Sequence, residues 1–235
     1  MNRKLILVAV VGLLTLCFGP SASANPISQP YIRLADLEVD NARLAEFQNA
    51  AAEHIAVAKR TEPGILAFHV AAEKGQPNRI RVFEMYANDA AYREHLQTPH
   101  FQTFVAATQS MIISRKLFDV LPVRLGERGT IPPSPVVRIA ELEIEPTALS
   151  AYVAAVAEEI DESIRVEPGV AAIYSVALKE APTHLRFFEI YADDVAYRQH
   201  IASPHFRKYV DTTKEMIAAR RLLETESANL YVRAR

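Results

Sequence analysis

The sequence predicts an α+β protein built from two tandem copies of one small domain. The motif Glu62-Pro63-Gly64 recurs as Glu167-Pro168-Gly169, at an offset of 105 residues. The same offset aligns residues 79–101 with residues 184–206 at 13 identities in 23 positions and without a gap. In addition, the apolar residues of each copy change between helical and strand spacing several times. These three observations predict a tandem duplication of a domain with mixed helices and strands.

The order of elements in each copy is predicted to be strand, helix, strand, strand, helix, strand. Asp40-Asn41 offers an N-cap for the first helix, and Pro63-Gly64 ends it. Thr98 and Pro99 are a cap and a first-turn proline, so they restart the second helical segment. The predicted segments of the first copy are a strand over 31–39, a helix after Asp40, strands over 65–72 and 79–86 joined by a turn at 75–78, helices from Asp89 to Gln97 and from Thr98 to about Ser114, and a strand over 116–123.

The strand over residues 80–86 predicts how the two copies meet. One face carries Ile80, Val82 and Tyr86, and the opposite face carries Phe83 and Met85. Both faces of the sheet are therefore apolar, whereas the helices of so small a domain cover only one face. The other face is expected to pack on the second copy. We therefore predict two ferredoxin-like halves that close into an α+β barrel, an intrachain pseudo-dimer; further homo-oligomerisation is left open.

The ends of the repeats predict the domain organisation. Residues 1–24 have the pattern of a signal peptide, with Asn2-Arg3-Lys4, an apolar run over Leu5–Phe18 and the small residues Ala22-Ser23-Ala24. An uncleaved anchor is the alternative, although the apolar run of 14 residues is short for a bilayer core of about 30 Å. We expect a periplasmic or secreted protein without a stable membrane anchor. Its predicted domains are residues 25–124 and 136–235, joined by a Gly- and Pro-containing linker over 125–135.

Composition excludes several functional classes. The formal net charge is −2 and no block of basic residues occurs, so nucleic-acid binding has no support. The one cysteine, Cys17, belongs to the predicted signal peptide, so the chain after cleavage has no thiol nucleophile or thiolate ligand. His95 and His100 are separated by a proline break and lack the spacing of helical zinc motifs. No metal is therefore predicted.

The stretches FEMYANDAAYREHLQTPHFQTF and FEIYADDVAYRQHIASPHFRKY, each preceded by the EPG motif, resemble the antibiotic biosynthesis monooxygenase family, closest to its quinol monooxygenase branch. The resemblance covers both copies and implies a dimeric α+β barrel with a pocket between sheet and helices. It also implies a small aromatic or quinol substrate oxidised by molecular oxygen, with no metal, flavin or other cofactor. Haem-degrading relatives use a pocket tryptophan, and this sequence contains no tryptophan.

His100 and His205 are the predicted catalytic residues. Each lies in the first turn of a helix, where the helix dipole disfavours a protonated imidazole. A neutral imidazole can accept the proton of a phenol. The alternative is that these histidines anchor the helix start through a backbone hydrogen bond. His95 and His200, at the end of the preceding helix, are explained by packing, and His54 is predicted to be solvated.

Polar and aromatic residues on the strands and helices are the candidates for substrate binding. A carboxylate among apolar neighbours needs a partner, so each strand glutamate is expected either to pair with an arginine (Arg33/Arg138 or Arg81/Arg186) or to orient substrate. The tyrosines are either core aromatics or cavity-lining groups. The predicted substrate-binding residues are His69, Glu84, Tyr86, Tyr92, Tyr174, Glu189, Tyr191 and Tyr197.

Two functions of different classes fit these observations. The first is a periplasmic, cofactor-independent monooxygenase that acts on a quinol-like or polyphenolic small molecule. The second is a non-catalytic barrel that binds a small ligand or serves as a stress-associated module. The copies differ at His69 and Tyr174 and at His54 and Glu159, so the two pockets are expected to have diverged. One polar pocket lined by His69 beside a sealed second pocket would favour an enzyme with a single site. An open, polar pocket favours the enzyme, and filled pockets favour the second function.

Overall fold

A computed structural model describes residues 29–233, so the predicted signal peptide lies outside the described residues. The first repeat contains β1 (Tyr31–Val39), a 3-10 turn (Asn41–Arg43), α1 (Leu44–Thr61), β2 (Ile65–Glu73), β3 (Gln76–Tyr86), α2 (Asp89–Gln97), α3 (Pro99–Thr108) and β4 (Ile112–Glu127). The second contains β5 (Val136–Ile144), a 3-10 turn (Pro146–Ala148), α4 (Leu149–Val166), β6 (Val170–Leu178), β7 (Ala181–Tyr191), α5 (Asp194–Ala202), α6 (Pro204–Thr213), a 3-10 turn (Lys214–Met216) and β8 (Ile217–Val232).

The eight strands form one closed antiparallel barrel in the order β1-β3-β2-β8-β5-β7-β6-β4. The two long strands, β4 and β8, have 16 residues each and join the halves. The first part of β4 pairs with β1, and its second part pairs with β6 of the other repeat. In the same way β8 pairs with β5 and then with β2. The predicted α+β fold with two ferredoxin-like repeats in one chain is confirmed.

The start of β4 differs from the prediction. The helix expected to reach Ser114 ends at Thr108, and the strand begins at Ile112 rather than at residue 116. The Thr108 hydroxyl donates to the Phe104 carbonyl at 2.7 Å, and the Met111 N–H donates to the Thr108 carbonyl at 2.8 Å. Ile112 then pairs with Val39 of β1. Ser114 pairs with Glu38, so Ile113 lies at an irregularity in the ladder. Pairing of β4 with β1 therefore begins in a stretch of β-branched residues whose apolar spacing would also allow a helix.

Two turns are also shorter than predicted. The β2–β3 hairpin turns at Lys74-Gly75, with Gly75 at a φ of +74°, and β3 already begins at Gln76. At the other end of the repeat, β4 continues to Glu127, so residues 125–127 of the predicted linker belong to the strand. The connection between the repeats is thereby shortened, which keeps the halves in one barrel.

The EPG motif positions the helices of each repeat. A Cβ atom on Gly64 would lie 2.6 Å from the Cβ of Ala91 in α2, and one on Gly169 would lie 2.6 Å from the Cβ of Ala196 in α5. Only glycine permits this close approach, since real Cβ contacts are longer. The approach brings the end of α1 against α2, and the end of α4 against α5. The glutamate of each motif is thereby carried towards the histidine-bearing helices.

The core has three parts. Apolar residues of both repeats fill the barrel interior, among them Phe83, Met85, Tyr174 and Phe188. The other two parts lie between sheet and helices, one in each repeat. The alternation along β3 therefore serves both layers, as its sequence predicts. Within residues 29–233, every helix is too short or too polar to cross a membrane.

Candidate functional site

Each repeat has a cavity between its sheet and its helices, at equivalent positions. The cavity of the second repeat, called the second cavity here, has a volume of about 400 Å³, and the first cavity has about 150 Å³. Equivalent residues line both, for example Glu84 and Glu189 or Phe101 and Phe206. The second cavity is lined by Ala140, Leu142, Val156, Glu159, Ile173, Phe187, Glu189, His200, Phe206, Tyr209, Val210, Thr213, Lys214, Ile217, Ala218, Ala219, Arg220 and Leu222.

The glutamate of each EPG motif holds two histidines. In the second repeat, Glu167 Oε1 lies 2.9 Å from His200 Nδ1 and 2.6 Å from His205 Nε2. In the first repeat, Glu62 Oε1 lies 2.9 Å from His95 Nδ1 and 2.7 Å from His100 Nε2. Burial acts to raise the pKa of Glu62, but the hydrogen bonds from the two histidines outweigh it, so the pKa is lowered. Since the same two contacts occur in both repeats, each EPG glutamate is the shared hydrogen-bond acceptor for two imidazole N–H groups.

His200 is oriented as a base that faces the second cavity. Because its Nδ1 donates a hydrogen to Glu167, the neutral ring carries its lone pair on Nε2. The ring is 2% exposed and lines the cavity. Nε2 lies 3.7 Å from Oε1 of Glu159, a buried carboxyl that also accepts a 2.7 Å hydrogen bond from Ser163. Burial raises the pKa of Glu159, which favours its protonated form beside the His200 lone pair.

His54 occupies the Glu159 position in the first repeat. It is 4% exposed and lines the first cavity, so the predicted solvation of His54 is wrong. Its ring packs on Phe104 with centroids 4.8 Å apart, because the apolar surface of α1 extends further round the helix than the sequence pattern indicates. Burial, followed by the nearby His95 and His100, lowers the pKa of His54 to about 3. The first repeat therefore has a neutral imidazole where the second has a carboxyl group.

His100 and His205, the predicted bases, lie beside their glutamates rather than in the cavity walls. Neither is among the residues that line the two cavities. His205 Nε2 contacts Glu167 and lies 3.1 Å from the Ser203 hydroxyl, and 15% of its side chain is exposed. The structure thus brings His200, not His205, to the cavity. The carboxylate that holds both was interpreted only as part of a turn, although its recurrence at an offset of 105 residues was a signal for it.

Glu84 and Glu189 each line the cavity of their own repeat. Each accepts a hydrogen bond from the tyrosine two residues further along the strand, at 3.0 Å for Tyr86 and 2.8 Å for Tyr191. Burial raises the pKa of both carboxyls. The predicted arginine partners are wrong, because Arg33 and Arg138 instead pair with other carboxylates, Asp119 and Asp194. Arg81 and Arg186 likewise pair with acids other than the strand glutamates, including Glu141.

The predicted aromatic residues are distributed over three environments. Tyr86 and Tyr191 are fully buried behind the strand glutamates. Tyr92 lines the first cavity and stacks on Tyr31 at 4.8 Å. Tyr197, which is not part of the second cavity wall, lies under the Arg138 guanidinium at 4.6 Å.

His69 and Tyr174 lie in the barrel interior rather than in a cavity wall. Their rings stack at 5.7 Å, and the Tyr174 hydroxyl donates to Glu127 at 2.6 Å. Both ring nitrogens of His69 are buried without a hydrogen-bond partner among the described residues. Burial lowers the pKa of His69 to about 3, so it is neutral. The difference between the copies at this position therefore concerns the barrel core.

Differences between the repeats make the second cavity larger and more polar. Ile113 of the first repeat corresponds to Ala218, Phe104 to Tyr209 and Gln109 to Lys214. The Tyr209 hydroxyl lies 2.5 Å from that of Tyr152, and burial raises the pKa of Tyr209 to about 12. Phe104 and Tyr209 are the last residues of the repeated stretches 83–104 and 188–209, and the other two pairs lie beyond those stretches. The differences become visible only when the two copies are compared position by position.

The glutamate and histidine groups also have the donor types of a metal site. Ligand atoms of Glu62, His95 and His100, and those of Glu159, His200 and His205, lie within 4.8 Å of one another. In both repeats the imidazole N–H groups donate to the EPG glutamate. These hydrogen bonds suit a histidine that transfers protons. Metal analysis of the purified protein would show directly whether either group of residues binds a metal ion.

The fold and the two cavities define a class of protein, a dimeric α+β barrel contained in one chain. The family described as antibiotic biosynthesis monooxygenase matches twice, over residues 30–107 and 135–212. The chain therefore belongs to the antibiotic biosynthesis monooxygenase family, and the tandem arrangement expected from the repeat is confirmed. No functionally curated protein matches the sequence.

Solved structures share the fold over nearly the whole chain. A "putative monooxygenase" from Lactobacillus acidophilus NCFM is 21% identical with a TM-score of 0.82, covering 87% of this chain and 97% of that one. A similarly named protein from Fusobacterium nucleatum is 16% identical with a TM-score of 0.80, covering 88% and 96%. A "putative antibiotic biosynthesis monooxygenase" from Bacteroides thetaiotaomicron VPI-5482 is 44% identical with a TM-score of 0.39, covering 40% of this chain and 90% of that one. The first two show the shared barrel.

Proposed function

We propose that this protein is a cofactor-independent monooxygenase that oxidises a quinol-like or polyphenolic substrate in its second cavity. The observation that carries the proposal is the orientation of His200. Its Nδ1 is held 2.9 Å from Glu167, and its ring lines an apolar cavity of about 400 Å³. A neutral imidazole with an oriented lone pair, supported by a carboxylate, is the arrangement used for general bases.

His200 would remove the phenolic proton of the substrate. The quinolate that results is a far better electron donor than the neutral quinol, so it can pass an electron to oxygen without a metal or flavin. Glu167 fixes the tautomer of His200 and stabilises the imidazolium that forms. His205, whose Nε2 contacts the same carboxylate oxygen at 2.6 Å, positions Glu167. In this proposal the predicted base His205 acts as a positioning residue.

The oxidation balances without an added reductant. The quinolate and oxygen form a semiquinone and superoxide, which combine at a ring carbon into a peroxide. Loss of water from the peroxide gives the oxygenated quinone, and His200 returns its proton in that step. For a hydroquinone, one molecule of oxygen gives one hydroxyquinone and one water. The substrate supplies all four electrons.

The two carboxyls at the inner end of the second cavity fit the hydroxyl groups of such a substrate. Glu159 and Glu189 both line the cavity, and burial raises the pKa of both. A protonated carboxyl can donate a hydrogen bond to a phenolate oxygen, which stabilises the anion formed by His200. Phe187 and Phe206 supply the apolar walls for the ring.

The first cavity is proposed to be the inactive copy. It has about 150 Å³, and His54 and Phe104 stand where the second repeat has Glu159 and Tyr209. A periplasmic or secreted location is proposed from residues 1–24, whose signal-peptide pattern supports export of the chain. Detection of the processed chain in a periplasmic fraction tests this location, and recovery of the unprocessed chain in the cytoplasm contradicts it.

Oxygen uptake tests the proposed reaction. Purified, chelator-treated protein is given a panel of hydroquinones and polyphenols, and oxygen consumption, product and hydrogen peroxide are measured. We expect uptake above autoxidation, with one oxygen consumed for each substrate and no peroxide released. Dependence on added metal would contradict the cofactor-free reaction.

Matched variants of the two repeats locate the site. His200→Gln keeps a polar side chain but removes the base, and His95→Gln makes the same change in the first repeat. We expect uptake to fall by about 100-fold or more in His200→Gln and to persist in His95→Gln. Equal losses in both would contradict a single site in the second cavity. Tight binding of phenols without uptake would instead favour the non-catalytic ligand-binding barrel.

A further inference from the structure

We propose that the second cavity selects phenolic substrates that carry an anionic group, which Lys214 and Arg220 bind at the cavity mouth. This inference rests on the proposed function for the reaction, but the binding preference can be measured without turnover. Both residues line the second cavity, and both are exposed, which places them at its opening. The proposed substrate is an aromatic carboxylate, or an aromatic compound with a similar anionic group, that also carries quinol hydroxyls.

Lys214 and Arg220 have no ion-pair partner among the described residues. Neighbouring cations differ in this respect. Lys208 on α6 pairs with Glu158 at 2.5 Å, and Arg221 on β8 lies 3.4 Å from Glu73. The charges of Lys214 and Arg220 are therefore available to a ligand, whereas those of Lys208 and Arg221 are engaged.

The residues at the mouth of the second cavity differ from their equivalents in the first repeat. Gln109 corresponds to Lys214, so a cation stands where the first repeat has a neutral amide. Ile113 and Ser114 correspond to Ala218 and Ala219, which line the second cavity and are smaller. The changes that widen the mouth thus coincide with an added positive charge. This combination fits an opening that admits an anionic group.

The distribution of charge along the second cavity predicts the orientation of the ligand. Among the residues that line the second cavity, Glu159 and His200 are buried and Glu189 is partly buried. Lys214 and Arg220 are exposed, so the cavity has a buried polar end and an exposed cationic end. A ligand with hydroxyls on one side of a ring and an anion on the other matches this polarity. The reverse orientation would bury the anion at the closed end of the cavity, away from both cations. The cations therefore direct the hydroxyls towards His200.

Binding of a matched ligand pair tests the inference. Gentisate and gentisamide have the same ring and hydroxyls, but only gentisate carries a carboxylate. Their affinities are measured by calorimetry under anaerobic conditions, so that oxidation cannot occur. We expect gentisate to bind about 10-fold more tightly at low salt, on the order of a few-fold for each exposed cation, with the preference decreasing as salt is added.

Variants assign the preference to the two cations. Lys214→Gln introduces the residue of the first repeat and is expected to reduce the preference to about 3-fold; with Arg220→Gln added, the preference disappears. Lys208→Thr, which also introduces the first-repeat residue, removes an engaged charge and should keep the preference. Thermal melts confirm that each variant is folded.

Other results would overturn the inference. These are equal binding of gentisate and gentisamide, a preference that survives in the double variant, or no binding of either probe. Failure of the proposed function is distinguishable, because it appears as a gentisate preference that depends on Lys214 and Arg220 without oxygen uptake. Uptake with neutral quinols and no anion preference would instead retain the oxygenase and reject anion selection.

Discussion

Replacing His69 by leucine should remove a large part of the acid sensitivity of folding. His69 is fully buried between Phe83, Tyr174 and Phe188, at centroid distances of 5.8, 5.7 and 5.4 Å. Burial lowers its pKa to about 3, whereas an unfolded histidine titrates near its ordinary value of about 6.5. Below about pH 6.5 the unfolded chain therefore binds a proton that the folded chain does not, so the stability contributed by this residue is lost as the pH falls from about 6.5 towards 3.

The magnitude follows from the two pKa values. A pH of about 5 lies about 1.5 units below the pKa of the unfolded histidine, which is about 6.5. Protonation of the unfolded chain therefore lowers the free energy of unfolding by about 2 kcal/mol, at about 1.4 kcal/mol per pH unit. Urea unfolding followed by circular dichroism at about pH 8 and pH 5 measures this difference. His69→Leu should lose about 2 kcal/mol less than the wild type between these pH values. His184→Leu, which removes a half-exposed histidine, is the control. An unchanged pH dependence in His69→Leu would refute the reasoning.

Three further variants test other parts of the structure. Gly169→Ala would place a Cβ 2.6 Å from that of Ala196, so we expect urea unfolding to show a loss of about 1–3 kcal/mol; unchanged stability would contradict the close approach. Tyr209→Phe leaves the buried Tyr152 hydroxyl, now 2.5 Å from its partner, without that hydrogen bond and should cost about 1–3 kcal/mol; a more stable variant would argue against the pair. Ala218→Ile introduces the first-repeat residue at the second cavity mouth and should raise KM with little change in kcat; an unchanged KM would mean that substrate does not pass this residue.

The fold was largely predictable because the duplication amplifies every local signal. The EPG motif, the Thr98-Pro99 start of α3 and the apolar faces of β3 each occur twice at the same offset. Apolar groups on both faces of a short sheet also require a second sheet, which predicts the barrel. The start of β4 was not predictable from periodicity, since Ile112 is apolar at a position that suits either a helix or a strand. Its pairing with Val39, a contact between distant parts of the chain, decides the outcome.

The candidate site was predictable only in part, because its key contact joins residues that are far apart in the chain. The histidines of the repeated motif were identified, but Glu167 is 33 residues from His200 and was interpreted as part of a turn. The direction of each side chain then decides which histidine faces the cavity. Position in the first turn of a helix predicted His205 as the base, whereas His200 lines the cavity. The role of Glu159 depends on its burial on α4, where the sequence places a charge off the apolar stripe.

The central claim, a monooxygenase reaction in the second cavity, is tested most directly with isotopically labelled oxygen. Chelator-treated wild type, His200→Gln and His95→Gln are incubated with a quinol that the wild type consumes, under an atmosphere of 18O-labelled oxygen, and the product is analysed by mass spectrometry. The account predicts one labelled oxygen atom in the product of the wild type and of His95→Gln, and almost no product from His200→Gln. Product without label, or labelled product from His200→Gln at the wild-type rate, would contradict it.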